Sequence, residues 1–559
     1  MEKVWLENYE KEVPHSINYP SLSLYQLFQQ SAKKYSQQPA VHFMGRELTY
    51  SELSSQIDAL AAALAELGVK KGDRVAIHLP NCTQFPIAFF AVHAIGAVVV
   101  PCNPLYVARE MEYQLKDSGA ETIITLTRFY KMIKEVQPKT NLKNIVVSNI
   151  KDFFPGLLSF LYTVAKEKKE GDRVEIAKED HIFTGLLSKY AGKEPPAVEV
   201  SPFDRAVFLY TGGTTGVSKG AVLQHRNLVA NMFQVKAWCT DYQDGKEVAL
   251  GVLPFFHSYG LTTVLNLGLL NGAKLVLLPR FVLEDVLKTI DKQKPTLFPG
   301  VPTIYVAINN APDLNKYDIK SIRICISGAA PLPVEVQQQF EKNTGGKLVE
   351  GFGLSETSPV THANPVYGVR KPGSIGLPMP DTEYKIVDVE TGEKELPIGE
   401  IGELCIRGPQ VMEGYLNMPE ENAQSIRDGW FYTGDIARAD EDGYTYIVDR
   451  KKDMVIAGGF NIYPRDIEEV LYAHPKIMEA AVAGINDPYR GETLKAYIVL
   501  KEGETMTEEE VTEHCKTNLA AYKVPKLVEF RPELPKTMIG KVLRRMLREE
   551  EEKKNQQDK

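Results

Sequence analysis

The densest run of chemistry in the sequence is Thr211-Gly-Gly-Thr-Thr-Gly-Val-Ser-Lys219, entered from the apolar run 206–209 and left through the apolar run 221–223. Glycine lets the backbone take positive φ and lets a ligand come close. Successive N–H groups in such a loop form a concave anion nest. Thr211, Thr214, Thr215 and Ser218 add hydroxyl donors, and Lys219 adds one cation. Strand, tight loop and strand of this composition predict a phosphate cradle. It is not a Walker A loop, in which Ser or Thr follows the lysine, because Gly220 follows Lys219. Nor does it carry the G-x-G-x-x-G spacing of dinucleotide sites. The alternative, a surface turn rich in Gly and Thr, rarely sits between two apolar strands.

The run from Tyr210 to Gly220 resembles the phosphate loop of the adenylate-forming superfamily, the group of acyl-CoA synthetases, peptide-synthetase adenylation domains and firefly luciferase. Four further motifs follow in that family's order. Gly328-Ala-Ala-Pro-Leu332 is a small-residue turn that, by the resemblance, borders adenine at Gly328 and Ala329. In Gly351-Phe-Gly-Leu-Ser-Glu-Thr357 the resemblance implies an aromatic face from Phe352, a hydroxyl from Ser355 and a carboxylate from Glu356 near the phosphates. A carboxylate beside polyphosphate needs an intervening cation, so Glu356 implies Mg²⁺. The family has Thr where this chain has Ser355, which keeps the hydroxyl and loses a methyl. Asp428-Gly-Trp-Phe-Tyr-Thr-Gly-Asp435 places Asp435 where the family binds both ribose hydroxyls through charge-assisted bonds. Together with Ile436 it is similar to the signature of long-chain fatty acyl-CoA synthetases. Arg450 falls near the expected ribose and phosphate, and Lys452 at the expected hinge. Gly458 and Gly459 fall in a loop that forms part of the pantetheine channel in the family. Lys541, in Pro535-Lys-Thr-Met-Ile-Gly-Lys541, matches the catalytic lysine of adenylation. His257, within Phe255-Phe-His-Ser-Tyr259, reads either as a core histidine or, by the resemblance, as a wall of the acid pocket.

These groups need a scaffold. At 559 residues the chain exceeds one core. With 43% apolar and 25% charged residues its composition is that of a soluble globular protein. Net charge of −8 argues against nucleic acid as the main partner. Cys82, Cys102, Cys239, Cys325, Cys405 and Cys515 are scattered without a C-x-x-C pair, as expected of reduced thiols in the cytoplasm. No secretory signal opens the chain and no apolar run reaches the ~20 residues of a bilayer span. Residues 40–44 and 46–50 flank Gly45 as a hairpin, and Ser51 is the expected cap of a helix to 67. Strands at 75–79, 97–100 and 122–126 alternate with helices at 85–95 and 110–117, the last closed by Gly119. That alternation predicts a parallel sheet. Beyond it, 261–270 reads as an apolar helix, 480–484 and 495–500 as strands, 508–519 as a helix, and the polar tail from Arg548 as disordered. Residues 153–164 form an apolar patch before Lys166, Lys168 and Lys169. The sequence favours a helix packed on the protein here over one lying in a membrane interface.

The resemblance implies an α/β fold: a large multi-sheet N-terminal adenylation domain (1–449), a hinge (450–453) and a smaller mobile α+β lid (454–559). It implies a two-step reaction in which a carboxylate and ATP give acyl-AMP and pyrophosphate, and coenzyme A then displaces AMP. One nucleotide would be gripped by groups of both lobes. A medium- or long-chain fatty acid is the expected acid. Aryl or short-chain acids, or loading of a carrier protein, are the alternatives. A peripheral membrane contact at the inner face of the membrane and a homodimer are both compatible with the sequence.

Overall fold

The structure, a computed structural model, describes residues 3–211, 218–457, 460–487, 491–537 and 540–557. The chain divides into two compact units. One comprises residues 9–383 and 407–429, the other 1–8, 384–406 and 430–559.

The larger unit is built on an eight-stranded sheet in the order Gly414–Tyr415, Lys219–Gln224, Arg205–Thr211, Val98–Pro101, Arg74–His78, Thr122–Leu126, Asn144–Ser148 and His181–Ile182. The strands from Arg205–Thr211 to His181–Ile182 run parallel, with Val75 opposite both Val99 and Thr122. Runs such as Val98–Pro101 and Thr122–Leu126 are buried at every residue, as strands covered on both faces must be. Crossover helices Gln84–Ala94, Ala108–Ser118 and Tyr130–Val136 connect successive parallel strands. The second ends at Gly119, whose φ of 64° lets its N–H close back onto the Leu115 and Lys116 carbonyls. Met111, Leu115, Ile123, Ile145, Phe208 and Val222 share one core, and the strands Arg205–Thr211 and Lys219–Gln224 are buried through their centres on both faces. Two further sheets complete the unit: Val248–Gly251, Lys274–Leu277, Pro39–Phe43 and Arg46–Thr49, and Ile324–Ser327, Lys347–Gly353, Val360–Ala363 and Leu377–Pro378.

Four expectations are corrected. Helix Tyr50–Glu66 is capped by Thr49, not Ser51: Thr49 and Glu52 exchange side-chain and backbone bonds of 3.2 and 2.8 Å in a capping box. The helix expected at 261–270 is interrupted by a π-helical stretch, Leu261–Asn266, between the short turns Ser258–Gly260 and Leu267–Leu269. The polar tail is helical from Arg544 to Gln557. Leu547 sinks into a core with Tyr497, Val499 and Leu534, and Lys495 bridges to Glu551 at 2.8 Å. Low complexity misled because a buried leucine and ion pairs to partners distant in the chain dock the helix. Finally, Phe153 and Phe154 are buried, but helix Gly156–Ala165 has no buried residue, against the packed helix favoured from sequence.

The smaller unit holds strands Gly402–Arg407, Trp430–Ala439 and Thr445–Arg450 in one antiparallel group. A second sheet has the order Phe460–Ile462, Val455–Ala457, Gly491–Leu500, Ile477–Asp487, with Leu527–Phe530 parallel to Gly491–Leu500. Its long ribbon extends both strands expected from the sequence. Helices Pro464–Tyr472 and Glu508–Asn518 cover it through Ile467, Leu471, Val511 and Cys515. The six cysteines are buried free thiols. Among the described residues no helix is long and apolar enough to cross a membrane.

Candidate active site

In the larger unit the hairpin register sets Thr211 opposite Lys219 and Tyr210 opposite Gly220. Ser218 Oγ donates to the Thr211 carbonyl at 2.7 Å and Thr211 Oγ1 to the Lys219 carbonyl at 3.4 Å. Helix Ala108–Ser118 braces this mouth: Tyr113 donates to the Ser218 carbonyl at 2.9 Å, and Asp117 accepts from Tyr210 at 2.6 Å. Gly212, Gly213, Thr214, Thr215 and Gly216 lie outside the described residues.

Lys219 does not stand alone. Its ammonium lies 2.6 Å from Glu421 Oε1 and 5.2 Å from the ring centre of Tyr415. The Tyr415 hydroxyl donates to Glu356 Oε1 at 2.8 Å. Strand Gly414–Tyr415 pairs with Lys219–Gln224, placing Tyr415 opposite Ala221. One tyrosine therefore ties the cation Lys219 to the carboxylate of Glu356, which is buried. Ser355 is joined to the neighbouring strip through Ser258, hydroxyl to hydroxyl at 3.3 Å. Beside Ser258, His257 Nδ1 accepts the Tyr259 N–H at 3.3 Å. That bond assigns the proton of the neutral ring to Nε2. Tyr259 in turn donates to the Ile326 carbonyl at 2.5 Å, and its ring would lie 3.1 Å from a Cβ placed on Gly328. His257, Gly328, Ser355 and Glu356 thus share one neighbourhood. Ala329 is exposed with φ of 69°, and half-buried Phe352 meets the His362 ring edge-on at 6.4 Å. The strip depends on Gly260, where any Cβ would lie 2.5 Å from the Pro254 carbonyl oxygen.

In the smaller unit Asp435 pairs with Arg450 across two strands, and Arg450 Nε lies 3.2 Å from Asp435 Oδ1. Thr433 Oγ1 accepts the Asp435 N–H at 3.0 Å. Asp435 is only 3% exposed, and its Oδ2 has no hydrogen-bond partner among the described residues. A buried carboxylate oxygen left without a donor is costly unless a ligand supplies one. A vicinal diol carries hydroxyl donors of the matching kind.

Lys541 comes to the same place. It is half-buried, and burial followed by the Arg450 charge pushes its ammonium down to about 7, with Lys452 adding to that effect and Asp435 and Asp453 opposing it. A turn holds it: Thr537 N–H donates to the Lys541 carbonyl at 2.9 Å, and Lys541 N–H to Thr537 Oγ1 at 3.2 Å. Just beyond, Arg544 reaches Glu468 at 2.5 Å, Asp453 at 3.3 Å and Asp449 at 3.7 Å. Burial still raises the Asp449 carboxyl to about 6. Lys452 is exposed in a tight turn where Lys451 N–H donates to the Gly434 carbonyl at 2.9 Å. Gly458 and Gly459 lie outside the described residues.

Sequence reasoning missed Tyr415, Glu421 and Arg544. Tyr415 and Glu421 follow the loop by about two hundred residues and meet Lys219 through the pairing of strand Gly414–Tyr415 and from the helix Pro419–Ser425 that follows it. Arg544 opens the helix Arg544–Gln557, three residues after Lys541. Two surface clefts of about 400 and 510 Å³ lie elsewhere on the larger unit, around Phe233 and around Asp58, and include none of these residues.

Residues 28–416 match the family of AMP-binding enzymes, and residues 466–541 match the AMP-binding enzyme C-terminal domain. A long-chain-fatty-acid–CoA ligase of Bacillus subtilis is 47% identical over 551 residues, 98% of each chain. One of Yersinia pestis is 40% identical over 559 residues, 99% of each chain. The crystal structure of ATP-bound MatB from Rhodopseudomonas palustris superposes with a TM-score of 0.83 at 30% identity, covering 95% of this chain and 99% of that one.

Proposed function

Because the chain belongs to the family of AMP-binding enzymes, we propose that it activates a long- or medium-chain fatty acid with ATP and transfers it to coenzyme A. A carboxylate oxygen attacks the α-phosphorus, the bond to the bridging oxygen breaks, and pyrophosphate leaves. The thiolate of coenzyme A then attacks the acyl carbon, and AMP departs with the electron pair of its phosphate oxygen. Reactions of this kind are governed by positioning and charge stabilisation.

The observation that carries the reading is the unfilled acceptor of Asp435 beside Arg450, with Lys541 in the same cluster. Asp435 takes the ribose diol. Lys541 meets the charge that develops at the α-phosphate. Thr211, Ser218 and Lys219, with the loop that they frame, take the β and γ phosphates. Glu421 holds Lys219 until the phosphates displace it. Gly328, Ala329 and Phe352 receive the adenine. His257, with its proton on Nε2, lines the carboxylate end of the acid site. The buried helical stretch Ser258–Leu269 forms an apolar wall, where burial contributes about 0.8 kcal/mol per methylene. The residues also suit a divalent cation: Glu356 is buried, and its hydrogen-bond partner Tyr415 is a neutral phenol. Glu356 would hold Mg²⁺, which would supply charge neutralisation between carboxylate and phosphates.

For the second half-reaction, residues 454–559 turn about the hinge 450–453, taking Lys541 away from Asp435 and bringing Gly458 and Gly459 to the pantetheine arm. The exposed turn at Lys452 suits a hinge. The test is pyrophosphate release across a series of carboxylic acids, with and without coenzyme A. Release with palmitate and octanoate, and thioester only when coenzyme A is present, is the expected result. Release with benzoate but with no fatty acid, or release of orthophosphate, would exclude the reading.

A further inference from the structure

Helix Gly156–Ala165 inverts the usual arrangement. A helix on a globular protein turns its apolar stripe to the core. Here Leu157 is 74% exposed, Phe160 65%, Leu161 52% and Val164 73%. Their spacing of i, i+3, i+4 and i+7 puts all four on one face. The polar side is the one fastened down. The Tyr162 hydroxyl donates to Asp172 at 2.5 Å and accepts from Arg128 at 3.0 Å, and Thr163 Oγ1 accepts from Lys151 at 2.7 Å. The Phe154 ring packs edge-on against Tyr162 at 5.6 Å. The apolar face is therefore held outward by specific bonds, and a contiguous exposed apolar patch marks an interaction surface.

The charges around it identify the occupant. Of the acids that follow the helix, Glu167 pairs with Lys151 at 2.5 Å and Asp172 with Arg128 at 2.5 Å, while Glu170 lies 3.9 Å from the same Arg128. Lys166, Lys168 and Lys169 are exposed and make no ion pair among the described residues. A short apolar face beside uncompensated lysines, on a chain of net charge −8, is the chemistry that meets an anionic lipid surface. A second copy of the same face would set these lysines against their own counterparts across a two-fold axis. Ten residues are also too few to span a bilayer. We propose that helix Gly156–Ala165 lays Leu157, Phe160, Leu161 and Val164 into the headgroup–acyl boundary of an anionic bilayer, with Lys166, Lys168 and Lys169 against the lipid phosphates. The docking does not depend on the reaction proposed above. It would bring the protein to the phase in which long-chain acids dissolve.

The test is co-sedimentation of the full chain with phosphatidylglycerol–phosphatidylcholine vesicles and with phosphatidylcholine vesicles alone. The chain binds the mixed vesicles, and binding weakens as salt rises. Phe160→Glu with Leu161→Glu lowers the partition coefficient by about tenfold or more. Lys166→Glu, Lys168→Glu and Lys169→Glu together abolish the preference for the anionic lipid. Both variants keep pyrophosphate release with octanoate, a soluble acid, which shows that they fold. No vesicle binding by the unaltered chain, or unchanged binding by the Phe160/Leu161 variant, overturns the proposal. So does a dimer that the same variant splits while vesicles are ignored. Vesicle binding without pyrophosphate release from any fatty acid would sink the reaction and leave the docking standing.

Discussion

Replacing Lys541 by Ala separates the two half-reactions, and pH makes the separation quantitative. Burial and the Arg450 charge bring its ammonium to about 7, so at pH 8 only about one free enzyme in ten carries the charge. If the charged form serves adenylation, kcat/KM for ATP falls by about tenfold per unit above pH 7, since that ratio reports the free enzyme. Bound polyphosphate favours the ammonium, so kcat holds to higher pH than kcat/KM. Lys541→Ala loses about 10²–10³ in adenylation at pH 6.5, the scale for removing one preorganised charge donor. That deficit shrinks as pH rises, because the unaltered enzyme then loses the same charge. Lys541→Arg keeps its charge and shows no such limb. The assay is pyrophosphate release from pH 6 to 9, set beside thioester formation from supplied acyl-AMP and coenzyme A. A flat profile for the unaltered enzyme would refute the titration argument. Equal damage by Lys541→Ala to both steps would refute the division of labour.

Three further outcomes follow from the geometry. Tyr415→Phe deletes the bond between phenol and Glu356 and leaves a buried carboxylate oxygen short of a donor. That costs about 1–3 kcal/mol, seen as a rise of about fivefold or more in KM for ATP, and an unchanged KM would show that the link is idle. Asp435→Ala removes the acceptor for a diol. The unaltered enzyme should prefer ATP to 2′,3′-dideoxy-ATP by about tenfold or more, on the scale of a charge-assisted hydrogen bond. The variant should treat them alike, and a preference that survives would remove Asp435 from the ribose. Gly260→Ala forces a methyl to 2.5 Å from the Pro254 carbonyl oxygen. Overpacking of this kind costs about 1–3 kcal/mol, read as a lower thermal midpoint, and a midpoint equal to that of the parent would mean the strip can shift.

Local patterns carried the alternating strands and helices of residues 74–126, because buried parallel strands read as short Val/Ile runs and Gly119 marks a helix end wherever it falls. They carried the hairpin at Thr211 and Lys219 for the same reason. What escaped depends on partners distant in the chain. Nothing beside Tyr415 says that its ring will lie over Lys219 while its hydroxyl holds Glu356. Nothing near residues 156–165 says that Tyr162 will be drawn to Asp172 and Arg128, turning the leucines outward. Composition alone assigned them to the interior. The π-helical stretch at Leu261–Asn266 also lies beyond a period count, since its hydrogen bonds close over five residues in place of four.

The docked helix Arg544–Gln557 has a consequence for how the gene can be cut. A stop codon placed directly after Lys541 would retain all the groups assigned to the chemistry. It would remove Arg544, which clasps Glu468 and Asp453, and Leu547, which fills the space beside Tyr497. The lysine assigned to the α-phosphate would then hang on a loose thread, so the encoded product would be chemically entire and catalytically mute.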